Sequence, residues 1–174
     1  MISHLVLGGA RSGKSRYAEQ LALNTQKPRI YIATAQAVDD EMAQRIAHHQ
    51  QQRCQNVWQL VEEPIYLADR LAALDQEYQV ILVDCLTIWM SNLLLASDPD
   101  LQGRECLKLL ELLPKLKSEI IMVSNETGLG VIPLGEITRR FVDESGRLHQ
   151  ALGQVCQHVV FCVAGFPMQL KGVE

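Results

Sequence analysis

No apolar stretch in the chain approaches the roughly 20 residues that cross a bilayer as a helix. The best candidate, Val80 to Met90, is interrupted by Asp84. A surplus of positive charge is also missing. The formal net charge is −4, which argues against a general nucleic-acid or anionic-membrane surface. Cysteine pairing is absent as well. Cys54, Cys85, Cys106, Cys156 and Cys162 are odd in number, and no two have C-x-x-C spacing. A disulfide or zinc framework is therefore not expected. The cysteines read as reduced thiols packed as small hydrophobes in a cytosolic protein. The segment MISHLVLGGARSGKS carries no basic n-region and no long apolar h-region, so it is expected to be mature structure. Linkers, repeats and low-complexity tracts are lacking too. The 174 residues, 48% apolar and 21% charged, fit one domain over 1–174 with a sizeable core.

What is present is an alternation of short apolar runs with amphipathic segments. Ile2 to Leu7, Arg29 to Thr34, Gln79 to Asp84, Glu119 to Ser124 and His158 to Ala164 read as buried strands, and Trp58 to Val61 as a short one. Helices are expected from Gly13 to Asn24, from Asp39 to about Cys54, from Pro64, from Leu86 to Ala96, and from Arg104 to about Lys117 despite Pro114. A long helical stretch from Leu134 to about Gln157 carries a possible break at Ser145-Gly146. The tail after Gly165 has no clear pattern. Continuously apolar strands alternating with helices predict an α/β fold, a mainly parallel sheet with helices on both faces in three layers.

Gly8-Gly9-Ala10-Arg11-Ser12-Gly13-Lys14-Ser15 matches G-x-x-x-x-G-K-[ST] at every fixed position, between a strand and a helix. This predicts a P-loop and a P-loop NTPase-type fold. Its glycines let consecutive N–H groups turn inward on phosphates. The helix N-terminus adds its positive end. Lys14 would neutralise the β and γ phosphates, and the Ser15 hydroxyl would ligate Mg²⁺. Asp84 closes the strand VILVD, where a second metal-binding acid belongs. Its competing role is to cap the helix that follows.

Other P-loop classes fit less well. A regulatory GTPase carries N-K-x-D after a late strand, where this chain has Ser124-Asn125-Glu126-Thr127. Arg139 and Arg140 suit the lid of a small-metabolite kinase, but no pattern fixes them as one. The distinctive segment is MAQRIAHHQQQR, Met42 to Arg53. At 100° per residue Met42, Ile46, His49 and Arg53 share a helix face, flanked by Arg45, while His48 points away. Two arginines beside His49 would keep its imidazole neutral and nucleophilic, and would stabilise charge on a transferring phosphoryl group. The competing role is a packed or solvated histidine. His4, His149 and His158 have no comparable sequence neighbours and carry no catalytic expectation.

Several segments occur together and in order: GGARSGKSRYAE, YIATAQ, DDEM..RI..H...R, a tryptophan followed by Glu62, VDCLT with NLL, and NETGLGVIP. Over Leu5 to about Gly165 the chain resembles the bifunctional adenosylcobinamide kinase / adenosylcobinamide-phosphate guanylyltransferase family of cobalamin biosynthesis. The resemblance implies two reactions. A nucleoside triphosphate, ATP or GTP, phosphorylates the corrinoid's aminopropanol hydroxyl. GTP then forms a GMP–histidine phosphoramidate, which the corrinoid phosphate attacks to give adenosylcobinamide-GDP. The guanylylated histidine falls on His49. Nucleotide contacts fall on Gly8 to Ser15, on Ala33, Thr34 and Ala35, on Gln50, Gln51, Gln52 and Arg53, and on Glu62 and Asp84. Some relatives have glutamate where Asp84 stands. The loop Asn125 to Pro133 would form a corrinoid contact or an active-site wall, against the simpler reading of a structural turn. The resemblance further implies a homotrimer. A kinase without guanylyl transfer and a nucleotide-dependent switch are the alternative functions.

Overall fold

The central strands of this chain are apolar on both faces, and helices cover both faces of the sheet they form. In the computed structural model, which describes residues 2–35 and 58–172, the side chains divide by parity. Leu5, Ile81, Val83, Ile120 and Met122 face one layer, and Val6, Leu82, Ile121 and Val123 face the other. The strands are β1 (Ser3–Gly8), β2 (Arg29–Ala33), β3 (Gln59–Glu62), β4 (Val80–Asp84), β5 (Glu119–Asn125), β6 (His158–Val163) and β7 (Phe166–Lys171). Their order across the sheet is β3-β2-β4-β5-β1-β6-β7. All neighbours are parallel except β6 and β7.

Helix α1 (Lys14–Asn24) covers one face through Ala18 and Ala22. The other face carries α2 (Leu67–Leu74), α3 (Leu86–Leu95), α4 (Leu101–Leu112) and α5 (Glu136–Val155), whose apolar residues join one core around Trp89. The predicted helix from Asp39 to Cys54 lies outside the described residues, and with it His49, Gln50, Gln51, Gln52 and Arg53.

Four local differences from the sequence reading have physical causes. The helix expected from Pro64 begins at Leu67, because the buried Glu63 carboxylate accepts the N–H groups of Ile65 and Tyr66 and holds Pro64 to Tyr66 as a turn. Pro114 does disturb the next helix. The chain tightens there into a 3₁₀ turn, Leu113–Lys115, where the missing N–H is tolerated. Helix α5 runs unbroken through Ser145-Gly146, since Ser145, Leu148, His149 and Leu152 form one buried stripe that outweighs the glycine penalty. The tail after Gly165 forms β7. Ala164 (φ 51°) and Gly165 (φ 87°) make the two-residue turn with positive φ at both positions that a tight hairpin favours.

Candidate functional site

Strand β1 ends at Gly8, and α1 begins six residues later at Lys14. Between them the chain makes a narrow loop. A Cβ on Gly8 would lie 2.7 Å from the Cys162 carbonyl oxygen and would also strike the Ser12 side chain. Gly13 has φ 92°, and a Cβ there would meet the Gly165 Cα at 3.0 Å. Both positions therefore require glycine, whereas Gly9 faces open space. The loop is held at both ends by neighbouring strands. The Glu126 N–H donates to the Gly8 carbonyl (3.1 Å), and the Gly165 N–H donates to the Ser12 carbonyl (2.9 Å). Thus the β6–β7 hairpin, whose second strand sequence patterning left undefined, braces the P-loop.

Lys14 Nζ donates to the Gly9 carbonyl (3.1 Å), so the ammonium lies folded over the loop it is expected to serve. The Ser12 hydroxyl is buried with no hydrogen-bond partner. Above the loop lies a cleft of ≈ 490 Å³, lined by Gly9 to Ser12 on one side and by Glu126, Leu129 and Phe161 to Ala164 on the other. Cys162, in its wall, has its thiol pushed up by burial, with Lys14 opposing.

Among the described residues, Ala33, Thr34, Ala35, Glu62 and Asp84 stand along the same C-terminal edge of the sheet. Strand β5 lies between β1 and β4, so Asp84 is two strand spacings, about 10 Å, from the P-loop strand. Ala33 to Ala35 are three spacings away and Glu62 four, roughly 14 and 19 Å. Thr34 is fully buried, and its side chain is committed. Its hydroxyl donates to the Cys85 carbonyl (2.7 Å) and accepts the Cys85 N–H (2.9 Å), while its carbonyl accepts from Asn92 Nδ2 (2.9 Å). It ties the end of β2 to the turn after Asp84. The N-cap of α3 is Cys85, which makes no side-chain cap bond. Burial, helped by Asp84, raises the Cys85 thiol to about 11. Strand β2 ends at Ala33 and β3 begins at Gln59, and His49 lies in the sequence between them, outside the described residues.

One constellation was not legible in sequence. His149, on α5, is buried, with Nε2 2.8 Å from the Ser124 hydroxyl and Nδ1 3.6 Å from Glu126 Oε2. The Ser124 hydroxyl also meets Thr87 Oγ1 (3.3 Å), which accepts the Asn125 N–H (2.6 Å). Burial pushes the His149 imidazole below its ordinary pKa, with Glu126 opposing. His149 lies 25 residues from Ser124 and 62 from Thr87, so only the packing of α5 and α3 at the end of β5 joins them. Glu126 was visible within NETGLGVIP, but its partner was not.

A mainly parallel sheet whose first strand delivers a glycine loop, a lysine and a serine into a helix N-terminus defines a P-loop nucleotide-binding protein. The fold agrees with a KaiC-like protein from Pyrococcus horikoshii OT3, at TM-score 0.52 and 14% identity over 92% of this chain and 70% of that one. More narrowly, the chain belongs to the family described as cobinamide kinase / cobinamide phosphate guanyltransferase, whose model matches residues 4–170. It is 55% identical to the bifunctional adenosylcobalamin biosynthesis protein CobP of Pseudomonas aeruginosa, over 97% of this chain and 96% of that protein. To the bifunctional adenosylcobalamin biosynthesis protein CobU of Escherichia coli K12 it is 35% identical, over 96% of this chain and 98% of that one.

Proposed function

We propose that the chain phosphorylates adenosylcobinamide with a nucleoside triphosphate and then transfers GMP from GTP to the product, giving adenosylcobinamide-GDP. The observation that carries this is family membership over nearly the whole chain together with the formed P-loop. Gly8 to Ser15 cradle the triphosphate, and Lys14 offsets charge on its β and γ groups. Ala33 to Ala35, Gln50 to Arg53, Glu62 and Asp84 complete the nucleotide site. His49 attacks the α phosphorus of GTP, forming a P–N bond as the bond to pyrophosphate breaks. The corrinoid phosphate then displaces the histidine. Two displacements in place of one is covalent catalysis and predicts ping-pong behaviour.

A divalent cation of the Mg²⁺ type fits the donors available. Ser15 and Asp84 offer hard oxygen ligands, and among the described residues no cluster of three His, Cys, Asp or Glu exists that would form a dedicated metal cage. Ser15 and Asp84 would hold the ion, which would neutralise phosphate charge when bound. The exposed Val131, Ile132 and Leu134, neighbours in the chain just before α5, support a homo-oligomer, a homotrimer by the family resemblance. Sedimentation of the purified chain checks it, and a monomer at working concentration would overturn it. The absence of any long apolar helix among the described residues is compatible with a cytoplasmic enzyme.

The deciding experiment is incubation with Mg²⁺ and GTP labelled at the α phosphorus. The wild type is expected to acquire an acid-labile, alkali-stable GMP adduct, and His49→Ala to acquire none. Equal labelling of both would remove His49 from the mechanism.

A further inference from the structure

The reaction with the corrinoid alcohol requires a group that takes the hydroxyl proton, and none of the residues assigned above does so. Glu126 is the acid among the residues that line the cleft over the P-loop. It directly follows strand β5, which lies between the strand that enters the P-loop and the strand that ends in Asp84. Gly8 is paired with Asn125, so Glu126 is the first residue beyond that pairing, and its N–H is bonded to Gly8 itself. It therefore stands between the strand that ends in the phosphate cradle and the strand that ends in Asp84, with a place in the wall of the cleft.

Its carboxylate is held from behind. Oε1 accepts the Gly128 N–H (2.5 Å), which folds the glycine loop back over the side chain, and Oε2 faces His149 Nδ1 (3.6 Å). A neutral His149 with its proton on Nδ1 accepts the Ser124 hydroxyl at Nε2, and Thr87 in turn supports Ser124. In that tautomer the contacts lead from Thr87 through Ser124 and His149 toward Glu126, with Ser124 and His149 buried. A carboxylate backed by a histidine beside a triphosphate cradle is suited to general-base catalysis, in which a positioned side chain takes a proton from the attacking group. If Glu126 served only to close the loop on Gly128, the buried histidine and the Ser124 hydroxyl bonded to it would have no part in it.

We propose that Glu126 is the general base of the phosphoryl-transfer step and that His149 is its positioning residue. The acceptor's O–H proton passes to the Glu126 carboxylate as its oxygen bonds to the γ phosphorus. The bond from that phosphorus to the β,γ-bridging oxygen breaks, and the nucleoside diphosphate leaves with the electron pair. The carboxylic acid then loses its proton to water. This rests on the corrinoid-kinase reading for the acceptor, but the same base acts on water when no alcohol is bound.

The test measures three activities of the full chain: transfer from ATP to adenosylcobinamide, hydrolysis of ATP without corrinoid, and self-labelling by GTP, which needs no acceptor hydroxyl. Glu126→Gln keeps the shape and the acceptor for Gly128. It is expected to lower kcat for transfer and hydrolysis about 10²–10⁴-fold, far more than it lowers self-labelling. Glu126→Asp should retain part of what the glutamine variant loses. His149→Asn should lower transfer less than Glu126→Gln, and the double variant should be no worse than Glu126→Gln alone, since coupled residues are not additive. Full transfer by Glu126→Gln, or equal loss of transfer and self-labelling, would overturn the base. Additive losses in the double variant would overturn the positioning role. A wild type that hydrolyses ATP but phosphorylates no corrinoid would sink the substrate reading instead, and the hydrolysis comparison would still decide Glu126.

Discussion

Gly8 and Gly9 are neighbours in sequence and unequal in the fold. A methyl group on Gly8 meets the Cys162 carbonyl and the Ser12 side chain, whereas one on Gly9 meets no atom within 4 Å. Backbone oxygen does not rotate aside, so Gly8→Ala must displace either β6 or the loop. The expected cost is about 1–3 kcal/mol, read as a lowered unfolding midpoint in denaturant. Gly9→Ala should unfold with the wild type. Equal midpoints for both variants would show that the loop relaxes freely. The sequence motif marks only Gly8 and Gly13 as fixed, and the structure supplies the reason at each. Thr34 teaches the converse. Sequence resemblance assigns it to nucleotide contact, yet its hydroxyl is engaged on both sides of Cys85, so any nucleotide contact it makes is limited to other atoms or to a rearranged side chain.

At the scale of elements, helix α5 carries glycine where Ser145-Gly146 suggested a break. The helix persists because burial of its stripe is worth more than the local propensity, and Gly146 itself has open space around it. Gly146→Ala should therefore stabilise the protein by about 0.5–1 kcal/mol, the helix-interior difference between the two residues. An unchanged or lower thermal midpoint would mean that the glycine serves packing not visible in the helix geometry. Strand β6 was expected from its apolar run, and β7 is the element sequence patterning missed. Its residues are all exposed, so no apolar alternation toward a core announced it, and only the paired positive φ values of Ala164 and Gly165 define the turn.

For the whole molecule, pH reports how the buried groups contribute to stability. His149 has a folded pKa below its unfolded 6.5, mainly through burial. The unfolded chain then binds more protons in that window, so this contribution is full above pH 6.5 and is lost as pH falls through the folded value. Glu119 is held below 4.5 by His4 first and also by Lys27, at 3.4 and 2.9 Å. Its contribution is full above 4.5 and is lost on further acidification. Thermal midpoints measured against pH should fall in two stages. His149→Asn should remove the upper stage and leave the lower one. A surviving upper stage would assign it to another group.

The sequence by itself determined the fold class, the positions of β1 to β6 and the phosphate loop, because these are written in local patterns. Apolar runs specify buried strands, and G-x-x-x-x-G-K-S specifies a turn into a helix N-terminus. It also marked NETGLGVIP without saying what the segment touches. Only the tertiary structure decided that β5 lies between the loop strand and Asp84, and that a hairpin turn bonds to Ser12. It alone decided that His149 stands behind Glu126. Those relations join residues far apart in the chain, and strand order and helix packing, which no local pattern encodes, bring them together. The opening P-loop is thus legible letter by letter, while the groups that surround it are legible only in three dimensions.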